Sequence, residues 1–415
     1  MSAAAEIPPV RSEAVNLPAV RAFTGNSEFD LIVACCADSR GHDSSDERHA
    51  DHIPKILSRP LDWGRILRLV DHHRVVPRVY GSLSVLSHLV PAEPLGALRS
   101  RYQNNARKTL WFTAEMVRIL AHLESAGIKA LPYKGPVLAQ ALYGEVTQRQ
   151  FGDLDILILP ADAPEAKAVL LDLGYTPGIE LASRAERAYF ERAYVETGYE
   201  YSFNAAHCSN LLELQWRIVP RFYSVDFDMA DFFERADEII VGGRRMRTLR
   251  AEDLLLVLCV HAAKHVCIQL SWLCDIAQLV NSQPLDWSAI QDEARRLGIE
   301  RIVRLNLLLA HKLLGSAMPP AIQERLREDP LTIVLADEIL LVIKGSLHYD
   351  TESIPYFRLM MRLRERWQDR ARFLWRLAFT PGPSEWSAVR LPKPLQPLYR
   401  LVRLSRLAKR LASTR

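Results

Sequence analysis

The sequence predicts a mixed α/β protein in which one α/β unit lies between two helical regions. Three observations carry this. Apolar residues recur at helical spacing before residue 128 and again after Gly242-Gly243. Between those regions, short apolar runs alternate with short helical patterns, the order expected of an α/β unit. The composition, 49% apolar and 25% charged over 415 residues, is that of a folded globular chain, too long for one ordinary core. Two or three packed units are therefore expected.

Residues 1–50 read as a weakly structured leader, acidic and rich in small residues around Ser39 to His52, with one short apolar run at Leu31 to Cys36. Residues 51–127 form an N-terminal helical region. Asp62, following Pro60, is placed to cap a helix whose Trp63, Ile66, Leu67, Val70 and His73 share one face. A second helix, from about Asn105 to Ser125, buries Phe112, Met116, Ile119, Leu120 and Leu123 and stops at Gly127.

The period then changes, and residues 128–245 form the α/β core. Ile128 to Tyr133 is a short apolar run, Lys134-Gly135 punctuates it, and Pro136 opens a helix that Gly144 closes. Phe151 to Leu159 reads as a strand, and a helix starts at Asp162 and Pro164, ending at Gly174. Glu196 to Asn204 and Leu211 to Ile218 are β-rich and form a hairpin around Ala205 to Asn210. Residues 246–385 are a C-terminal helical domain, with helices expected over Glu252 to Gln269, Trp272 to Asn281, Trp287 to Leu297 and Ile302 to Leu314. Residues 386–415 are a basic helical tail.

Several classes of function fall away. The first thirty residues have no apolar h-region, which argues against a secretory signal. The stretch Leu254 to Val280 is interrupted by His261, Lys264, His265 and Asp275, which disfavours a membrane span. The six cysteines show no C-x-x-C pairing and read as buried free thiols, so a cytoplasmic location is expected. The net charge of +4 conceals a tail with eight basic and no acidic side chains, a candidate contact for an anionic partner. Its Leu398, Leu401, Val402 and Leu404 fit equally a helix docked on the body.

The chemistry centres on Gly152-Asp153-Leu154-Asp155. On a strand, Asp153 and Asp155 face the same way. Two like charges so placed repel unless solvated or neutralised by a cation, and a hard ion such as magnesium suits them. Two metals about 4 Å apart can brace the attacking and leaving oxygens of an in-line displacement. The spacing alone also fits a solvated strand edge, but the apolar run after it points to a central strand. Glu213, in Leu212-Glu213-Leu214-Gln215-Trp216, is the best third acid; an outward-facing hairpin residue is the plainer reading of it, because Gln215 and Arg217 share its face. Lys134-Gly135 lies where a strand gives way to a helix, a place for triphosphate oxygens. Arg149 could reach the same phosphates. His261 and His265, four apart on a helix, could bind zinc or simply pack, and with Lys264 could line the cleft; Asp275 most simply pairs with a nearby cation.

These residues resemble the uncharacterised nucleotidyltransferase family of the DNA polymerase β-type nucleotidyltransferase superfamily. The resemblance runs through Leu61-Asp62-Trp63, Tyr133-Lys134-Gly135, Leu142-Tyr143-Gly144, Arg149 with Gly152-Asp153-Leu154-Asp155, Leu173-Gly174-Tyr175, Leu212 to Trp216, His261 to His265 and Trp272 to Asp275. It implies a small mixed-sheet nucleotidyltransferase core flanked by helical regions and a nucleoside triphosphate (NTP) substrate. It also implies two Mg2+ ions held by Asp153, Asp155 and Glu213. Lys134-Gly135 stands where the superfamily usually has a glycine-serine turn, and Gln215 where family members often carry histidine. The expected activity is transfer of a nucleoside monophosphate from the NTP, ATP by this reading, to a small molecule, peptide or protein with release of pyrophosphate. The alternative is a non-catalytic nucleotide-binding or protein-interaction module on the same fold.

Overall fold

The computed structural model describes residues 25–37, 52–178, 187–206, 208–345, 353–389, 391 and 393–413. Five strands form one sheet in the order β1-β2-β5-β4-β3: β1 (Ala130–Pro132), β2 (Leu154–Ile158), β3 (Thr176–Pro177), β4 (Glu200–Ala205) and β5 (Cys208–Gln215). β2 runs parallel to β5 and antiparallel to β1, while β4 is antiparallel to β3 and β5. The sheet is mixed, as the fold class anticipated. All five residues of β2 are buried, which is what a run with neighbours on both edges and cover on both faces requires.

β2 begins at Leu154, so Phe151, Gly152 and Asp153 lie ahead of it rather than within it. The Lys134-Gly135 turn presses against this entry. Gly135 takes φ +58°, and a Cβ there would stand 3.3 Å from the Asp153 carbonyl oxygen. From Gly135 the chain turns directly into the helix Gly135–Tyr143, with Pro136 in its first turn and Gly144 at φ 74° beyond its end.

Gly242-Gly243 does not mark the return to helix. It is the two-residue turn of a second hairpin, β6 (Asp237–Val241) with β7 (Arg244–Thr248). Both glycines have positive φ, 59° and 76°, the backbone a tight hairpin of matching twist demands. The Thr248 hydroxyl donates to the Pro132 carbonyl at 2.8 Å and ties this hairpin to β1. Helix resumes at Ala251.

Two hydrophobic clusters organise the rest. One joins the sheet to the helix Ala92–Ser125 through Phe112, Met116, Ile119, Leu120 and Leu123. That helix is 34 residues long and starts after Pro91, well before the Asn105 start expected from apolar spacing alone. The other cluster gathers N-terminal and C-terminal helices around a shared core. Into it the helix Ser27–Cys36 sends Phe29, Leu31 and Ile32, each fully buried. The apolar run expected in a weakly structured leader is therefore ordered, because its burial against these helices offsets the entropy of fixing it. Asp62 caps the helix Trp63–His73, its carboxylate accepting from the Arg65 N–H at 2.9 Å.

Cys35, Cys36, Cys259, Cys267 and Cys274 are free and buried. Among the described residues no helix is long and apolar enough to cross a membrane. The tail helix Tyr399–Ser413 rests on the body: Tyr399 is buried, and Arg403 donates to the Leu377 carbonyl at 2.6 Å and pairs with Glu385 at 3.3 Å.

Candidate active site

The register of the parallel pair sets Asp155 of β2 directly beside Glu213 of β5. Asp153, two residues earlier, lines the same cleft, a cavity of about 360 Å³ whose lining also includes His261, Lys264, His265 and Trp272. Three acids from two places in the sequence, Asp153 and Asp155 together and Glu213 some sixty residues on, thus line one cleft. The volume falls in the range of small-ligand sites, about 300–1,000 Å³.

A hydrogen-bond network fixes these acids. Lys134 sends its Nζ to Asp155 Oδ1 at 2.9 Å, with both side chains nearly fully buried. Gln215 Nε2 donates to Glu213 Oε2 at 2.8 Å, to Asp155 Oδ1 at 3.2 Å and to Glu200 Oε2 at 3.3 Å, while its own oxygen accepts from the Tyr133 hydroxyl at 2.6 Å. Gln215 is thus the hub that orients the carboxylates. Arg217, expected on the same face, turns instead to the carbonyls of Val195 and Gly198, each at 2.9 Å. Glu200, opposite Gln215 on β4, is a fourth acid at the edge of this network that no sequence pattern singled out.

The electrostatics are those of crowded, desolvated acids. Burial, then the neighbouring Asp155 and Glu200 charges, push the Glu213 carboxyl up to about 9. Asp153 is raised by the same two causes, burial first and Asp155 second. Hard oxygen donors in this excess are chemically suited to a divalent cation, and Asp153, Asp155 and Glu213 are the residues that would hold it. Among the described residues no three His, Cys, Asp or Glu side chains already form a metal-binding group. In this structure the ammonium of Lys134 neutralises Asp155.

Further lining comes from the end of the helix Ala251–Lys264 and the start of Leu270–Ser282. His261 Nδ1 lies 3.3 Å from Lys134 Nζ, and burial with that charge nearby holds the imidazole well below its ordinary value, hence neutral. His261 and His265 pack with Trp272, ring centroids 4.9 to 5.4 Å apart. Their four-residue spacing puts both rings on the side of the helix that meets Trp272. Lys264 lies over the Tyr199 ring at 4.8 Å, and its burial lowers its proton affinity.

Arg149 also lines the cleft, but its guanidinium is already engaged. Its Nε donates to both oxygens of Asp275, at 3.1 and 3.0 Å, and Nη2 lies 2.9 Å from Oδ2. The Tyr143 hydroxyl adds a bond to Asp275 at 2.8 Å. Asp275 therefore has the cationic partner anticipated for it, and the pair fastens the strand side of the cleft to the helical side.

The family model described as an uncharacterised nucleotidyltransferase matches residues 59–315, more than half of the sequence, and the chain belongs to that family. Among solved structures, the solution structure of the antibiotic-resistance factor ANT(2'')-Ia is similar at 15% identity with a TM-score of 0.33, over 44% of this chain and 89% of that one. No curated protein matches.

Proposed function

From membership of a nucleotidyltransferase family, we propose that the chain is a metal-dependent enzyme moving a nucleoside monophosphate from an NTP, ATP in the first instance, to a small-molecule, peptide or protein acceptor: an acceptor oxygen bonds to the α-phosphorus, the bond from the α-phosphorus to the β-phosphate bridge breaks, and pyrophosphate leaves. The observation that carries this reading is the register pairing of Asp155 with Glu213 on adjacent parallel strands, with Asp153 lining the same cleft. Bound divalent metal, two Mg2+ ions in the full arrangement, supplies charge neutralisation at the α-phosphate and activation of the attacking oxygen. The chain's own residues do the rest. Asp153, Asp155 and Glu213 hold the cation side, with Gln215 keeping two of them aligned. Lys134, which bonds Asp155 at 2.9 Å, would offer its ammonium to phosphate, and Gly135 brings the backbone of the turn close to Asp153. His261, Lys264, His265 and Trp272 complete the lining and exclude water, which strengthens every charge interaction inside.

Incubation with ATP labelled in its α-phosphate, Mg2+ and a panel of acceptors tests the proposal. Label transfer by the wild type, abolished in Asp153→Ala and Asp155→Ala, is expected; labelling that these variants leave untouched would sink it. The Lys134–Asp155 ion pair favours a second reading, a binding module whose key acid is permanently engaged. Calorimetry showing nucleotide binding without turnover for any acceptor would favour that one. The basic tail as a contact for an anionic partner belongs with either reading, as does a cytoplasmic location.

A further inference from the structure

The helix Trp63–His73 ends at Arg74, which stands at φ 53° and ψ 48° with its N–H turned back to the carbonyls of Asp71 and Val70. This is the left-handed cap that glycine or asparagine ordinarily fills, since a side chain there crowds its own backbone. An arginine at such a position is kept against local preference, and strained residues of this kind gather at ligand sites. Its location fits. Arg74 is exposed and is one of the residues lining the cleft, along with Gln150, Phe151 and Asp153.

The other cations of the cleft are occupied. Lys134 is on Asp155 at 2.9 Å, Arg149 is on Asp275 at 2.9 Å, and Lys264 lies half-buried over the Tyr199 ring. Among the described residues the Arg74 guanidinium has no hydrogen-bond or ion-pair partner. A planar guanidinium next to the acid that would share a metal with phosphate oxygens is the natural bidentate partner for a polyphosphate.

We propose that Arg74 grips the polyphosphate end of the nucleotide, holding the phosphates that leave while the acids address the α-phosphate. This rests on the nucleotide reading given above. It assigns to Arg74 the phosphate contact that Arg149 is too committed to make.

Calorimetric titration of the full chain with ATP in Mg2+, and with AMP, tests it on wild type, Arg74→Gly, Arg74→Ala and Arg74→Lys, with thermal melts alongside. Arg74→Gly and Arg74→Ala are expected to bind ATP about tenfold or more weakly, the loss of a charge-assisted bidentate contact, with AMP binding little changed. Arg74→Lys should fall between. Arg74→Gly should melt at or above the wild-type temperature, because glycine takes the left-handed backbone freely. Stability and affinity then move in opposite directions, which a purely structural role cannot produce. Wild-type ATP affinity in Arg74→Gly, or equal weakening of ATP and AMP, overturns the proposal alone. A wild type that binds neither nucleotide overturns the nucleotide reading and this proposal with it.

Discussion

Breaking the Arg149–Asp275 pair should be among the most destabilising changes this cleft permits. The Asp275 side chain is 1% exposed and that of Arg149 10%, so neither charge has water to fall back on. Asp275→Ala removes three short contacts with Arg149 and the acceptor of the Tyr143 hydroxyl, leaving a buried guanidinium unpaired. Loss of one member of a buried pair costs about 3–5 kcal/mol. Arg149→Met strands the carboxylate and should cost a similar amount. The double variant Arg149→Met/Asp275→Leu leaves no charge behind and should return to within about 1–2 kcal/mol of the wild type. Urea unfolding followed by tryptophan fluorescence and circular dichroism, run as a double-mutant cycle, measures the coupling. Additive costs in the double variant would refute the desolvation argument. The same variant bears on function: because Arg149 is spent on Asp275, ATP affinity should survive the double substitution, and its collapse would show that Arg149 reaches the phosphates after all.

In the metal-free protein, Glu213 should make stability fall with rising pH. Its carboxyl is raised from 4.5 to about 9, so the folded chain keeps a proton that the unfolded chain has released. The contribution is full below about 4.5, shrinks as pH rises and is lost above about 9, at no more than about 1.4 kcal/mol per pH unit. Urea unfolding in EDTA across that window should show the slope, and Glu213→Gln should flatten it; matching slopes in both proteins would count against the assignment. Gly135→Ala forces a side chain into φ +58° with its Cβ 3.3 Å from the Asp153 carbonyl. It should cost about 1–2 kcal/mol and reduce label transfer, read from thermal melts and the labelling assay. Asp62→Ala removes the cap of the helix that carries Arg74 at its far end and should lower stability by about 1 kcal/mol by the same melt.

What the sequence made legible, and what it hid, follow from one physical distinction. The central strand was readable because its apolar run is local, and the spacing of Asp153 and Asp155 pointed to one side of it, although Asp153 stands just ahead of β2 and reaches the cleft from the strand's entry. The helix after Lys134-Gly135 was readable because proline and glycine punctuate it. Charge partners are set by tertiary structure, and there local spacing gave no guidance. Arg149, close in sequence to the aspartates, is captured by Asp275, 126 residues away. Arg74, remote from them in sequence, is delivered to the cleft by the end of a helix. Gln215 shares the face of Glu213 two residues before it on β5, but its bond to Asp155 depends on β2 lying beside that strand. The one local sign of Arg74 was an absence, since the helix Trp63–His73 stops without the glycine or asparagine that a left-handed cap invites. A cation kept at such a stop, facing acids that themselves lack enough positive charge, is better explained by a polyanion that arrives than by the fold that is already there.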